Sequence, residues 1–358
     1  MTTTEGASAR PGGEDAANRY VLLDHFNCAI DIFAEKTYGW GRDYHLGVLR
    51  DIEARRIFSG LTFFIAYHPP ETLPDYGPHV VLVLIGDEFH LPRAYFARIA
   101  AILRCYGTRP IYVDGWPMTG VRLAAAAQYI HKQLVRLKAQ VKEVRAKGWT
   151  GFSGSRRKTL QVPLGYFRDF QIVLKPMAQR TIDHSFMGSV GTDFAAKPLL
   201  QKILDGPKYI SRRQMLAALT HEGRRPSGAQ TITPNFEASA LNHEAYIDGL
   251  ANTRIALVPR GISHETYRFF EAFKAGCVVI CEPQPQAWYN RGHPGIVMRD
   301  WSRLPQVLEA LLADMEHLEA LSQASAAYWQ GVLQESVIAE TVSTFLRERL
   351  DKVFLRLV

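Results

Sequence analysis

The chain of 358 residues carries 42 lysines and arginines against 35 aspartates and glutamates, a formal charge of +7, with 47% hydrophobic and 11% aromatic residues. That apolar content fills two cores of ordinary domain size, and the positive balance favours anionic partners: a nucleotide or an anionic lipid surface, with nucleic acid not expected. Four cysteines without a CxxC pair give no disulfide framework, Met1 to Asn18 lacks the apolar core of a signal peptide, and the run Val80 to Ile85 is too short to span a bilayer. A cytoplasmic protein, at most peripheral to the inner face of a membrane, is therefore expected.

In chain order, residues 1–18 read as a disordered tail rich in Thr, Ala and Gly. Tyr20 to Leu23 reads as a strand, followed by Asp24 and His25. Asp43 to Arg56 reads as a helix that includes His45. Leu61 to Tyr67 and Val80 to Ile85 read as buried strands, the second running into Gly86, Asp87 and Glu88. Helical spacing predicts a helix over Pro92 to Tyr106. A short strand at Ile111 to Val113 and a long basic helix over Val121 to Lys147 follow, and Gly148 to Arg157 has the composition of a loop or hinge.

The second half alternates more regularly. Ser185 to Met187 reads as a strand ending in Gly188 and Ser189. Helices are predicted over Ala195 to Leu204 and Arg212 to Leu219, then a strand at Gln230 to Thr233 and a short helix at Tyr246 to Leu250. Arg254 to Val258 reads as a strand, Pro259-Arg260-Gly261 as a loop, and Ser263 as the N-cap of a helix running to Lys274. Gly276 fits the helix stop, and Cys277 to Ile280 is a buried strand. Ile296 to Met298 is a further strand. Ser302 caps a helix whose apolar face is Leu304, Val307, Leu308, Leu311, Leu312 and Met315, and a last helix spans Val337 to Phe354.

This alternation predicts an α/β protein of two Rossmann-like domains facing a cleft, bounded at 19–165 and 166–335, with 336–358 as a final helix. The loop between a parallel strand and the next helix is where such sheets bind phosphorylated ligands. Arg260 and Arg268 supply charge there, Gly261 allows close backbone approach, and Glu271 can accept hydrogen bonds from a ribose diol. The carboxyl end of Val80 to Ile85 places Asp87 or Glu88 as a general base. Asp87 is preferred because it follows the strand-ending glycine, with Asp24, His25, Asp43 and His45 as competitors. Helix capping or an ion pair is the plain alternative for Asp87 and Glu88, as an ordinary solvated βα unit is for Arg260 to Glu271.

The stretch from Asn252 to Glu282 also resembles the donor-site segment of glycosyltransferases of the two-Rossmann (GT-B) fold, and among them the exostosin-like group. The matching pieces are the strand ending in Pro259, Arg268, Glu271-Ala272 and Ala275-Gly276-Cys277 with the apolar strand after them. The resemblance implies that Glu271 contacts the ribose of a UDP- or GDP-sugar. It implies that Gly188 and Ser189 form the glycine loop beside the donor phosphates, and that the last helix crosses back to the first domain. Ser263 stands where many GT-B enzymes carry a second acid, so the sugar is not fixed by this motif. The activity implied is transfer of a sugar to a hydroxyl of a glycan or glycolipid, as in polysaccharide biosynthesis, with inversion favoured. No DxD is present, so no cofactor and no essential metal are expected. A sugar-nucleotide epimerase or hydrolase on the same fold and a non-catalytic glycan-binding subunit are the alternatives. P-loop, GxGxxG, GxSxG and HExxH signatures are missing.

Overall fold

The computed structural model describes residues 17–23, 28–34, 41–106, 120–147, 155–190, 194–220, 228–233 and 243–354. The predicted strand Ile111 to Val113, most of the loop at 148–157, nearly all of the predicted tail, and Asp24 and His25 lie outside these residues.

The first sheet contains β1 (Arg19–Leu22), β2 (Cys28–Ala29), β3 (Thr62–Ala66), β4 (Gly77–Leu84), β5 (Ile99–Arg104) and β6 (Thr159–Gln161), in the order β2-β1-β3-β4-β5-β6. All neighbours are parallel except β1 and β2. Alternate side chains build two cores, as the two-residue period of a strand requires. Tyr20, Leu22, Phe63, Ile65, Val81 and Val83 pack with α1 (Arg42–Ala54) on one face. Val21, Phe64, Ala66, Leu82 and Leu84 meet Leu73, Tyr95 and Phe96 on the other.

The predicted helix over Pro92 to Tyr106 is replaced by a 3₁₀ turn, Ala94–Arg98, and the strand β5. All six residues of β5 are buried. A strand covered on both faces is apolar throughout, so its sequence lacks the alternation that separates it from a buried helix.

The second sheet is wholly parallel: β7 (Ile182–Ser189), β8 (Gly228–Thr233), β9 (Thr253–Val258), β10 (Val278–Cys281) and β11 (Ile296–Val297), in the order β11-β10-β9-β7-β8. The chain lays β8 on one side of β7 and then returns to lay β9 on the other. This is the 2-1-3-4-5 order of doubly wound sheets, and its switch point lies between β7 and β9. In the first sheet the parallel strands run in chain order, β1-β3-β4-β5-β6, and the one reversal among the described strands is the short antiparallel β2 beside β1. The protein is thus α/β with two Rossmann-like units.

Between the sheets' strands lie α2 (Gly120–Lys147), α3 (Leu199–Thr220), α4 (His243–Ala251) and α5 (Tyr267–Lys274). The two helices predicted on either side of Gly206-Pro207 are one continuous α3. Pro207 removes one backbone donor, but Asp205, Gly206 and Pro207 are buried, and Gly206 lies against Ala124 of α2, so tertiary packing holds the helix through the break. The N-cap of α5 is Thr266, three residues beyond the predicted Ser263. Its end is a Schellman stop: Gly276 has φ 62°, its N–H donates to Phe273 O, and Cys277 N–H donates to Ala272 O.

Asp300, in place of the predicted Ser302, accepts from Ser302 N–H to cap the turn before α6 (Leu304–Leu312). Leu304, Leu308 and Leu311 of that helix are buried, while Met315 opens the next one, α7 (Met315–Tyr328), and is exposed. A π-turn, Trp329–Leu333, leads into α8 (Glu335–Phe354). This last helix packs on α1, where Arg55 pairs with Glu340, and just before it Tyr44 Oη donates to Leu333 O at 2.5 Å. The last described helix therefore lies against the first unit.

Candidate functional site

The switch point of the second sheet opens between the carboxyl ends of β7 and β9. Gly188 and Ser189 end β7, and Pro259-Arg260-Gly261 follows β9. Two basic residues one helical turn apart on α3, Lys208 and Arg212, face this crevice. Lys208 Nζ donates to Ser189 Oγ at 2.8 Å. Arg212 donates to Ser189 O at 2.6 Å and to Arg260 O at 3.1 Å, tying the two strand ends together. Arg268, in the first turn of α5, completes the group. Its guanidinium and that of Arg212 lie 5.7 and 5.6 Å from the centre of the Phe186 ring.

Gly188 is required by this crowding. A side-chain carbon there would stand 2.9 Å from Arg268 Nη1 and 3.3 Å from Arg212 Nη1. Three cations thus converge on one backbone loop, and none forms an ion pair with a carboxylate among the described residues. Burial pushes the Arg212 guanidinium down to about 9, and the nearby Arg268 adds to this. Burial and the Arg212 charge push Lys208 down to about 8. Both shifts mark charge held away from water without a contacting anion. Arg268 Nε is buried without a partner, as is Thr266 Oγ1 at the start of α5. Open N–H groups and a positive dipole end there add to an anion-binding concavity.

Arg260 is 2% exposed and turned toward α2, donating to Gln128 Oε1 at 2.9 Å and to Ile262 O at 3.2 Å. Its role in the structure is to hold the loop Pro259 to Thr266 against α2. Gln128 also donates to Leu204 O and Ile262 O. Gly261 sits beneath this loop, where a side-chain carbon would stand 3.1 Å from Thr266 Cγ2 and 4.0 Å from Arg212 Nη2. Glu271 is buried. Its Oε1 accepts from Phe167 N–H at 3.0 Å and its Oε2 from Tyr246 Oη at 2.5 Å. Burial raises its pKa, and the Tyr246 hydrogen bond opposes the rise.

The carboxylates after β4 are drawn to different places. Gly86 lets the chain pass under the Tyr67 ring, which a Cβ would meet at 2.1 Å. Asp87 is 1% exposed, paired with Arg104 Nη2 at 3.0 Å and capping Leu91 N–H at 3.2 Å. It faces the interior of the first unit, in the kind of ion pair that is the plain alternative for it. Glu88 reaches the second unit instead: its Oε2 accepts from Ser263 Oγ at 2.8 Å and lies 3.3 Å from Lys132 Nζ on α2. Ser263 therefore bridges to Glu88 and caps no helix.

Of the competitors, His45 is buried beside Cys105 Sγ at 3.3 Å, and burial lowers its pKa to about 4. Asp43 accepts from Asp169 N–H at 2.9 Å. His25 lies outside the described residues. The sequence does not single out Lys208, Arg212, Gln128, Lys132 or Tyr246 as site residues. The Lys208–Arg212 spacing of four, on a helix after the first strand of the second unit, is the one signal that points to them. Among the described residues no three His, Cys, Asp or Glu side chains converge as a metal site.

No protein-family model and no curated protein matches the chain. Among solved structures it is similar to the pneumococcal O-GlcNAc transferase GtfA in complex with UDP and GlcNAc, at 12% identity and a TM-score of 0.38 over 77% of this chain and 58% of that one. It is similar to a chain of the GtfA/B complex at 11% identity and 0.40, over 86% and 61%. It is similar to WaaG, a glycosyltransferase involved in lipopolysaccharide biosynthesis, at 13% identity and 0.39, over 85% and 96%. The chain thus spans about three-fifths of each Gtf chain that it matches. Likeness at this level fixes no residue's role, and exostosin-like membership does not follow from it.

Proposed function

We propose that the protein is a glycosyltransferase that uses a nucleoside-diphosphate sugar. The reading is carried by one observation: Lys208, Arg212 and Arg268 converge on Gly188 and Ser189 at the switch point of the second sheet. A diphosphate placed there would meet charge-assisted donors from three side chains and the open N–H groups of α5. Arg260 supports the loop that closes over it. Glu271 uses one lone-pair site on each oxygen within the chain, and its remaining sites are assigned to the donor ribose.

Glu88, across the seam and beside Ser263, is assigned the acceptor proton. The acceptor hydroxyl oxygen forms a bond to the anomeric carbon as the bond from that carbon to the phosphate oxygen breaks. The electron pair leaves on the diphosphate, stabilised by the three cations, and the hydroxyl proton passes to Glu88. This displacement inverts the anomeric carbon and needs no metal. The acceptor is a hydroxyl of a glycan or glycolipid.

The test is a transfer assay with UDP- and GDP-sugars over a panel of glycan and glycolipid acceptors, run with and without EDTA. Donor-dependent glycosylation that survives chelation is expected. Free sugar or an epimer formed without acceptor would replace transfer by hydrolysis or epimerisation, and loss restored by Mg²⁺ would overturn the metal-free mechanism.

A further inference from the structure

The long helix α2 shows its apolar residues to the wrong side for a core. Leu123, Ile130, Leu134, Leu137 and Val141 are 58, 59, 53, 56 and 39% exposed. With Ala127, also exposed, they recur at spacings of four and three, so they form one stripe along a helix about 40 Å long. The opposite face is bolted to the protein. Gln128 donates to Leu204 O and Ile262 O, Lys132 meets Glu88 and Ser263, and Glu143 accepts from Arg93 and Ala94 N–H. The stripe cannot rotate inward without breaking these bonds.

Charge decides what covers it. Lys138, Lys142 and Arg145 flank the stripe and are exposed, and the helix's only acid, Glu143, is buried on the opposite face. Leu137, Lys138, Val141, Lys142, Arg145 and Ala146 line one open groove. Leu199 and Leu200, at the start of α3, which packs against α2, are 74 and 60% exposed. A second copy of α2 would set basic flanks against each other in an antiparallel pair. No helix among the described residues is long and apolar enough to cross a membrane. An exposed apolar stripe with a mainly basic margin, in which Glu71 from outside the helix pairs with Lys142 at 3.3 Å, matches a helix lying in the interface of an anionic bilayer.

We infer that α2 docks the protein on anionic lipid, with Leu134 and Leu137 in the acyl boundary and Lys138, Lys142 and Arg145 on the headgroups. The inference is independent of the transferase reading, because no residue of the stripe touches the switch-point cations. It implies that an acceptor presented by a membrane would meet the first unit already oriented.

The experiment is co-sedimentation of the full chain with vesicles of phosphatidylcholine alone and of phosphatidylcholine mixed with phosphatidylglycerol, at low and high salt. Binding to the mixed vesicles only, released by salt, is expected. Leu134→Gln with Leu137→Gln, and separately Lys138→Glu with Lys142→Glu and Arg145→Glu, are exposed changes that should leave the circular dichroism intact. The charge variant should lower partitioning by roughly a hundredfold or more. Wild-type protein left in the supernatant, or a folded leucine variant that sediments like wild type, would overturn the inference. So would lipid-free self-association that the leucine variant abolishes, since the stripe would then be an interface between protein chains.

Discussion

Two adjacent carboxylates, Asp87 and Glu88, show how one residue of chain decides chemistry. Both lie in the turn that follows β4, which ends at Leu84, and the turn sends their side chains to opposite sides. Asp87 therefore enters the first unit and meets Arg104, while Glu88 leaves it and meets Ser263. Burial raises the Asp87 pKa and Arg104 opposes the rise, the signature of a structural ion pair. Asp87→Asn should lower the unfolding free energy by about 3–5 kcal/mol, because it leaves a buried guanidinium uncompensated. Its turnover, measured on the folded fraction, should stay near wild type. Glu88→Gln should keep stability within about 1 kcal/mol and reduce kcat by about 10²–10⁴. Reversed behaviour of the two variants in urea melts and transfer assays would exchange their roles. The acids were legible from their place after an apolar strand. Which one faces the partner unit was not, because that depends on Arg104 and Ser263, respectively 17 and 175 residues away in sequence.

At the scale of elements, the turn between α5 and β10 is the best-specified piece of the second unit. Gly276 adopts φ 62°, and a Cβ there would stand 3.3 Å from Arg180 Nη2. That guanidinium is itself held by Thr253 O at 2.7 Å and Ala275 O at 2.9 Å, so it has little room to retreat. Gly276→Ala should therefore cost about 1–2 kcal/mol or more, read as a lower urea midpoint, with nucleotide affinity of the folded protein unchanged. A variant as stable as wild type would remove the steric argument. This stop was legible because only glycine fits such a position without strain. The strand β5 was not legible, since its burial on both faces erases periodicity, and neither was the continuity of α3 through Pro207, which rests on contacts with α2.

For the whole molecule, the two sheets divide the work unequally. Only the second reverses the order of parallel strands, so only it offers a switch-point crevice of that kind among the described strands, and the first supplies Glu88 and α2 across the seam. Strand and helix alternation made the α/β class legible, and the Pro259 to Gly276 segment pointed to the switch-point edge of the second sheet. The cations lining that edge were largely hidden, because Lys208 and Arg212 come from a helix whose orientation only the packed fold reveals. The central claim is that these cations hold a diphosphate, and calorimetric titration of UDP and GDP into wild-type and Lys208→Ala protein tests it most directly. Lys208 is held near 8, chiefly by burial, and a bound anion favours its charged form. Below that pH the lysine is already charged. Above it a proton must be taken up with the ligand, so wild-type affinity should fall as pH rises through about 8, and this step should vanish in Lys208→Ala, which keeps only the fall that Arg212 adds near 9. At neutral pH the variant should bind its nucleotide roughly tenfold to a hundredfold more weakly, the loss of one charge-assisted hydrogen bond. Equal affinity in both folded proteins, or no binding of either nucleotide by the wild type, would contradict the account.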